Sequence, residues 1–360
     1  MPSSKHGGRG LGTRLSRRGK IILGAGALAL AIVALSAILA LAGKGPQVLQ
    51  NLGRSLPGVN NAAPPATCPL TGKQQKTVPN RPALAVKVEN LPEARPQAGL
   101  NKADIVYEEP VEGGITRFIV LFQCQSSPRV GPVRSARMTD SLVLPQYGNP
   151  VFGYAGGVPQ VVHAVDAAGV RDENYDIAVS AYQRDPNRAA PHDLYTTTDA
   201  LWKAAAKYQG RAPKPVFTYG SLPAHAKQVG FAHLDFSGSS DVYWRWNPKQ
   251  QNWLRFHGTV PHMLEGNAQV SAKNVVVQVV KLTYDGLSDV VGAPSPEAVT
   301  LGTGKAYVFR DGKMVVGKWV REKASDVTKF ETLSGDVIPL APGRTWVELF
   351  PNTLKVQTGK

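Results

Sequence analysis

Residues 112–137 read EGGITRFIVLFQCQSSPRVGPVRSAR, and the fold turns on how they divide. Thr116–Phe122 (TRFIVLF) is β-branched and aromatic, which predicts a strand. In the run that follows, Arg129–Arg137, Gly131 and Pro132 mark a turn. Arg134 and Arg137 would share a face if a helix starts there. Two guanidiniums on one face suit a phosphate or a carboxylate held bidentately. Arg117 and Arg95 are candidates to join them. The competing reading is ion pairing with Glu108, Glu109, Glu112 or Asp140.

Upstream, Ala83–Val88 and Ala103–Tyr107 are short strand-like runs, and Val151–Tyr154 is another downstream. Gln160–Ala168 and Thr198–Tyr208 carry helical signals, the second with Thr197 or Thr198 to cap it and Gly210 to end it. These alternations predict a mixed α/β domain over residues 81–212. From residue 213 helix periodicity is weak. Asp241–Trp246, Asn252–His257, Asn274–Tyr284, Lys305–Arg310, Lys313–Glu322 and Thr345–Phe350 read as strands, predicting a β-rich domain over 213–355. Asp311-Gly312 is a hairpin signal. The expected class is α+β or α/β, membrane-anchored, with the β-rich domain second. Five of the six Trp fall in that second part. They read mainly as core and cross-strand packing, with a carbohydrate-stacking platform as the alternative.

The net charge of +15 comes from 41 Lys/Arg against 26 Asp/Glu. Residues 1–80 hold ten Lys/Arg and no acid, which leaves 31 basic and 26 acidic residues after them, a net of +5. A nucleic-acid partner is therefore not expected. Ile21–Ala42 is 22 residues without a charge or amide, about 33 Å as a helix and enough to span a bilayer core of roughly 30 Å. Six Lys/Arg precede it and Lys44 follows. The bias predicts a single-pass signal anchor, with residues 1–20 a cytoplasmic basic tail and 43–360 outside. The rival is a cleaved signal, given Ala40-Leu41-Ala42. Residues 43–80, rich in Pro and Gly, read as a tether.

Outside the cytoplasm, Cys68 and Cys124 read as one disulfide; the alternative is a buried Cys124 thiol and a free Cys68. No complete catalytic set is visible. Asp104 and Glu108 could feed a Mg²⁺ alongside a substrate phosphate, or be solvated edge positions. Tyr154, Gly156 and Gly157 lie in a FGYAGG run where glycines would admit a ligand beside a helix start, or form a tight turn. His192, beside Asp193, could orient a general base or be a structural loop histidine. His257 and His262 are too sparse for a metal site. No cofactor is expected, except Mg²⁺ if the chain is a phosphotransferase.

Long runs carry a resemblance: CPLTG (68–72), RPALAVKVEN (81–90), ARPQAGLNKADIVYE (94–108), EGGITRFIVLFQ (112–123), RVGPVRSAR (129–137), APHDLYT (190–196), GTGKAYVFRDGKMVVGKW (302–319) and LAPGRTWVELFP (340–351). Over about 65–352 the chain resembles the YerB-type family of bacterial envelope proteins. The resemblance implies two extracytoplasmic domains of unknown function. It supplies no reaction. This chain departs from the family's lipid anchor on Cys by using an apolar helix.

The order strand, arginine turn and GYAGG–helix is also similar to LytR–CpsA–Psr-type envelope phosphotransferases. That would make Arg134 and Arg137 phosphate ligands and Asp104 a metal ligand. Two functions follow as expectations. One is binding of an anionic envelope glycan, a lipid phosphate or an envelope protein through the arginines. The other is a phosphotransferase acting on polyprenyl-pyrophosphate-linked precursors.

Overall fold

Three antiparallel strands, β1 (Leu84–Glu89), β2 (Ile105–Pro110) and β3 (Thr116–Phe122), form around the opening segment, with β3 between the other two. Every residue in them is buried, because both faces are covered. Phe118, Val120 and Phe122 enter one apolar layer, and Ile119 and Leu121 the other. This is the two-residue alternation of a strand. Full burial of each such side chain contributes about 1.5–3 kcal/mol. β4 (Val151–Gly153) and β5 (Arg171–Asp172) extend this edge in parallel.

This computed structural model describes residues 66–360 apart from 209, 285, 290 and 291. The basic tail, the apolar run and the tether up to residue 65 lie outside the described residues. Among the described residues no helix is long and apolar enough to cross a membrane.

After residue 212 comes a short β6 (Lys227–Gln228), then β7 (Phe231–Ser237), β8 (Ser240–Asn247), β9 (Asn252–His257) and β10 (Val260–Pro261). The chain continues through β11 (Asn274–Thr283), β12 (Gly302–Arg310), β13 (Lys313–Arg321), β14 (Thr345–Pro351) and β15 (Gln357–Gly359). β14 inserts between β2 and β11, parallel to both. Its Trp346 stands opposite Val106 on one side and Val275 on the other. One twelve-stranded sheet results, in the order β6-β13-β12-β11-β14-β2-β3-β1-β4-β5, with residues 297–299 and 329–331 added at the side.

The two halves expected to meet near residue 212 thus share a sheet, and the described residues from 66 to 360 belong to one compact unit. A boundary in sequence is not a boundary in space here, since β14 bonds strands from both halves. The fold also reaches further than expected at both ends. Ala66–Thr67 pairs with Gln74–Gln75, and Cys68, Leu70 and Thr71 are buried, so residues 66–80 belong to the fold rather than to a tether. At the other end, β15 pairs with β7 beyond the expected limit of 355.

The second sheet, β10-β9-β8-β7-β15 with residues 271–272 beside β9, has six strands and covers one face of the large one. Trp244 and Trp346 meet edge to face at 5.2 Å between centroids, as do Phe118 and Trp346. Trp244, Trp253 and Trp346 are fully buried. They are packing residues and not a stacking platform.

The opposite face is covered by α1 (Met138–Val143) and α2 (Pro159–Ala167), through Val143, Val161 and Val165. α3 (Thr198–Ala204), capped by the Thr197 side chain on Ala200 N–H at 3.0 Å, joins the first layer through Leu201. The expected helices are present but short, and the N-terminal half mixes them with strands. Asp311 and Gly312 join β12 and β13 with φ of 52° and 68°, the left-handed pair the hairpin signal requires.

Candidate anion pocket

The strand alternation that sorts the core also sorts the charges. Lys87 and Glu89 on β1, Arg117 on β3 and Glu109 on β2 share the helix-covered face, with Arg117 opposite Glu89 on one side and Glu109 on the other. Lys87 takes two of the acids expected to pair with the arginines. Its Nζ bonds Glu109 and lies 2.7 Å from Asp140 Oδ1, all three side chains being fully buried. Burial pushes the Glu109 carboxyl up to about 7, against the pull of Lys87, with Asp140 adding to the rise.

Of the acids expected to pair with the arginines, Glu112 does so with Arg137, whereas Arg134 takes Glu89 instead. Arg137 Nε lies 2.6 Å from Glu112 Oε1, and its Nη2 donates to Oε2 at 2.7 Å. Ser295, from the C-terminal half, donates to the same carboxylate at 2.5 Å. Burial would raise the Glu112 carboxyl; the bonds from Arg137 and Ser295 outweigh it and hold the group below its ordinary value. Arg134 Nε donates to Glu89 Oε1 at 3.0 Å, and His192 Nδ1 lies 2.8 Å from Glu89 Oε2.

Arg117 differs. It is 5% exposed, its Nη1 donates to Ser135 O at 3.2 Å, and its Nε has no partner. Among the described residues it forms no ion pair. Burial, and next the charge of Arg137, push its guanidinium down to about 10.

Arg117, Arg134, Ser135 and Arg137 line one pocket of about 240 Å³. Glu112 also lines it, with Val158 and Val161 at the start of α2 and Ser288, Asp289 and Ser295 from the C-terminal half. The two loop arginines do not share a helix face as expected. Residues 134–137 are extended, and α1 begins only at Met138, where Arg137 N–H donates to Asp140 Oδ2 at 2.7 Å. Backbone bonds fix this segment between β1 and the glycine run: Arg134 N to Lys87 O, Ala155 N to Arg134 O and Ala136 N to Gly156 O, at 2.9–3.0 Å.

The remaining candidates divide. Gly157 lines the pocket, and Gly156, at φ +77°, supplies the backbone contact beside it. His192 reaches the site only through Glu89. Tyr154 does not join: it stacks on Phe152 and its hydroxyl donates to Asp172 Oδ2 at 2.9 Å. Arg95 belongs elsewhere, donating to Asn90 O at 2.8 Å and held down to about 10 by burial and by Arg255.

Asp104 caps the chain after β3, accepting from Gln123 and Cys124 N–H at 2.6 and 3.0 Å. That is six residues along the strand from Arg117, about 20 Å. Asp104 therefore cannot serve a ligand in this pocket. Glu108 is on the opposite face, and among the described residues no group of three His, Cys, Asp or Glu could hold a metal. Cys68 and Cys124 form a disulfide with Cα atoms 6.0 Å apart.

On the face toward the second sheet, Glu108 and Glu348 stand opposite each other in parallel register. Arg255 from β9 bonds Glu108 at 2.7 Å, and Trp244 Nε1 donates to Glu348 at 2.6 Å. Burial, then the neighbouring Glu108, raise the Glu348 carboxyl well above its ordinary value.

Arg255 also bonds His262 Nδ1 at 2.7 Å, and His262 Nε2 meets Gln97 Oε1 at 2.8 Å. Burial and Arg255 keep this imidazole neutral far below its ordinary 6.5. Below pH 6.5 the unfolded chain therefore binds a proton that the fold refuses, and stability falls with pH. His262→Gln should flatten that acid limb by up to about 1.4 kcal/mol per pH unit. Urea titrations between pH 7 and 5 that give equal slopes for both proteins would refute this.

Sequence reasoning passed over Glu89, whose signal was present: Lys87 and Glu89 are two charges, two residues apart, in an apolar strand. Ser288, Asp289 and Ser295 carry no local signal, since only the fold brings them to the arginines.

Residues 70–211 match the N-terminal domain, and residues 232–347 the C-terminal domain, of a family described as protein of unknown function (DUF3048). Over 305 residues the chain is 28% identical to the Bacillus subtilis (strain 168) protein named "Putative lipoprotein YerB", covering 82% of this chain and 89% of that one. The crystal structure of YerB protein from Bacillus subtilis has the same fold, with a TM-score of 0.71 and 26% identity. That match covers 82% of this chain and all of that one. The two successive domain matches and the common fold place this chain in the DUF3048 family of YerB-type proteins.

Proposed function

We propose that this chain is a membrane-held envelope protein whose folded part binds an anionic group in the pocket of Arg117, Arg134 and Arg137. The observation that carries the reading is Arg117, a buried guanidinium without a carboxylate partner beside an open pocket. A buried charge is costly unless paired, so a ligand anion would complete the site. The Cys68–Cys124 disulfide suits an oxidising compartment. The relative's description as a lipoprotein fits a membrane-held protein, with the apolar segment 21–42 as the anchor here. The phosphotransferase reading has less support, since Asp104 sits about 20 Å along β3 from the arginines.

Anions that bind the fold alone should raise its melting temperature. For the full-length chain, acetate or dimethyl phosphate at tens of millimolar is expected to raise it by several degrees over matched chloride. Arg117→Gln should abolish the increment. Equal increments in both proteins, or none in either, would count against the pocket.

A further inference from the structure

We infer that the pocket takes a group carrying a single negative charge spread over two oxygens, a carboxylate or a phosphodiester, and not a phosphomonoester or pyrophosphate. This inference rests on the anion-pocket reading and narrows it. The charges around the pocket set the limit. Arg137 is already neutralised by Glu112, at 2.6 Å, and Arg134 by Glu89, at 3.0 Å. Only Arg117 adds a positive charge without its own carboxylate.

A second negative charge would have to compete with Glu112 for Arg137 or with Glu89 for Arg134. Glu112 is additionally held by Ser295 and Glu89 by His192. It would also face Asp289, a further carboxylate in the pocket wall. At these distances, repulsion between like charges in a partly desolvated site outweighs any gain from the remaining N–H donors.

The geometry suits the smaller charge. Arg117 offers a planar fork that matches two oxygens of one group. The Ser135 and Ser288 side chains supply neutral hydroxyls, which can donate without demanding charge. Val158 and Val161 give an apolar wall beside the charged end, able to accept the carbon substituent of an ester or an acid. A volume of about 240 Å³ admits such a head group with its first substituent.

The test is calorimetric titration of the full-length chain with acetate, dimethyl phosphate, inorganic phosphate and pyrophosphate at pH 6 and pH 8. Dimethyl phosphate keeps one charge across this range. It therefore reports any titration of the protein's own groups near the site, His192, Glu89, Glu112, Asp289 and the Lys87–Glu109–Asp140 cluster. Inorganic phosphate gains its second charge over the same range.

Acetate or dimethyl phosphate is expected to bind at least as tightly as pyrophosphate. Relative to the diester, inorganic phosphate should weaken from pH 6 to pH 8, and Arg117→Gln should lower affinity at least tenfold. The tighter of acetate and dimethyl phosphate identifies the source as carboxylate or diester. Pyrophosphate binding tenfold tighter than the diester, or phosphate strengthening tenfold at pH 8, would overturn the single-charge assignment and leave the pocket standing. Absence of binding by all four anions would overturn the pocket itself, and the assignment with it.

Discussion

Replacing Arg255 by methionine is expected to lower the unfolding free energy of the full-length chain by about 3–5 kcal/mol, the cost of breaking a buried ion pair from one side. Arg255 and Glu108 are both completely buried, and the guanidinium holds the carboxylate at 2.7 Å. Glu348 stands beside Glu108 in the adjoining strand, its carboxyl raised well above the ordinary value by burial and by the Glu108 charge. Without Arg255, the Glu108 carboxylate is left in a dry layer with a second acid as its neighbour. The hydrogen bond to His262 is lost as well.

The double substitution Arg255→Met with Glu108→Gln removes the stranded charge and should recover a substantial part of the loss. Guanidinium titrations of the four proteins measure this as a double-mutant cycle. A single-variant loss below about 1 kcal/mol, or no recovery in the double variant, would show that the pair is not what holds the two sheets' polar centre.

Opening the disulfide should cost nearly as much. Cys68 and Cys124 are 56 residues apart in sequence, and closing a loop of that length removes about 4 kcal/mol of unfolded-chain entropy. The bridge ties the segment around Cys68 to the chain just after β3. Cys124 N–H also donates to Asp104 there, so the local backbone is held from two directions. Cys68→Ser with Cys124→Ser should therefore shift the unfolding midpoint strongly while leaving the circular dichroism of the folded state unchanged. The wild type in reductant should behave as the double variant does. Coincident midpoints with and without reductant would mean that the bridge does not constrain the unfolded chain as assigned.

Much of the fold was legible because its strands advertise themselves. Thr116–Phe122 and Asn252–His257 fall where the residues predict, and the hairpin at Asp311-Gly312 follows from a turn that few dipeptides satisfy. The helices near 160 and 198 were visible from their caps and periodicity. The sharing of one sheet by both halves was not legible. Thr345–Pro351 is a strand by composition, but nothing in TWVELFP says that its partners are Ile105–Glu108 on one side and Asn274–Val280 on the other. Parallel pairing at long range leaves no local mark.

The arginine site was legible in part. Arg134 and Arg137 drew notice by their spacing, and they do reach one pocket, although through an extended segment rather than a helix. Arg95 drew notice by type, and Asp104 by its spacing from Glu108 and by resemblance, and the fold carries both elsewhere. Lys87 could not be foreseen as the group that removes Glu109 and Asp140 from the arginines. That capture needs β1, β2 and α1 in place together.

By itself, the sequence determined composition-level facts: the apolar run at 21–42, the concentration of charge before residue 80, the positions of the strands and the turn at 311–312. These depend on residues close in the chain, where periodicity, charge and backbone preference act locally. Only the tertiary structure decided which charges cancel. Three arginines and several acids close in sequence can pair in many ways. Strand register and burial select one, leaving Arg117 without a carboxylate because its neighbours are held by Lys87, Arg134 and Arg137. Electrostatic pairing depends on distances of a few ångströms, and those are set by long-range contacts that no local pattern encodes.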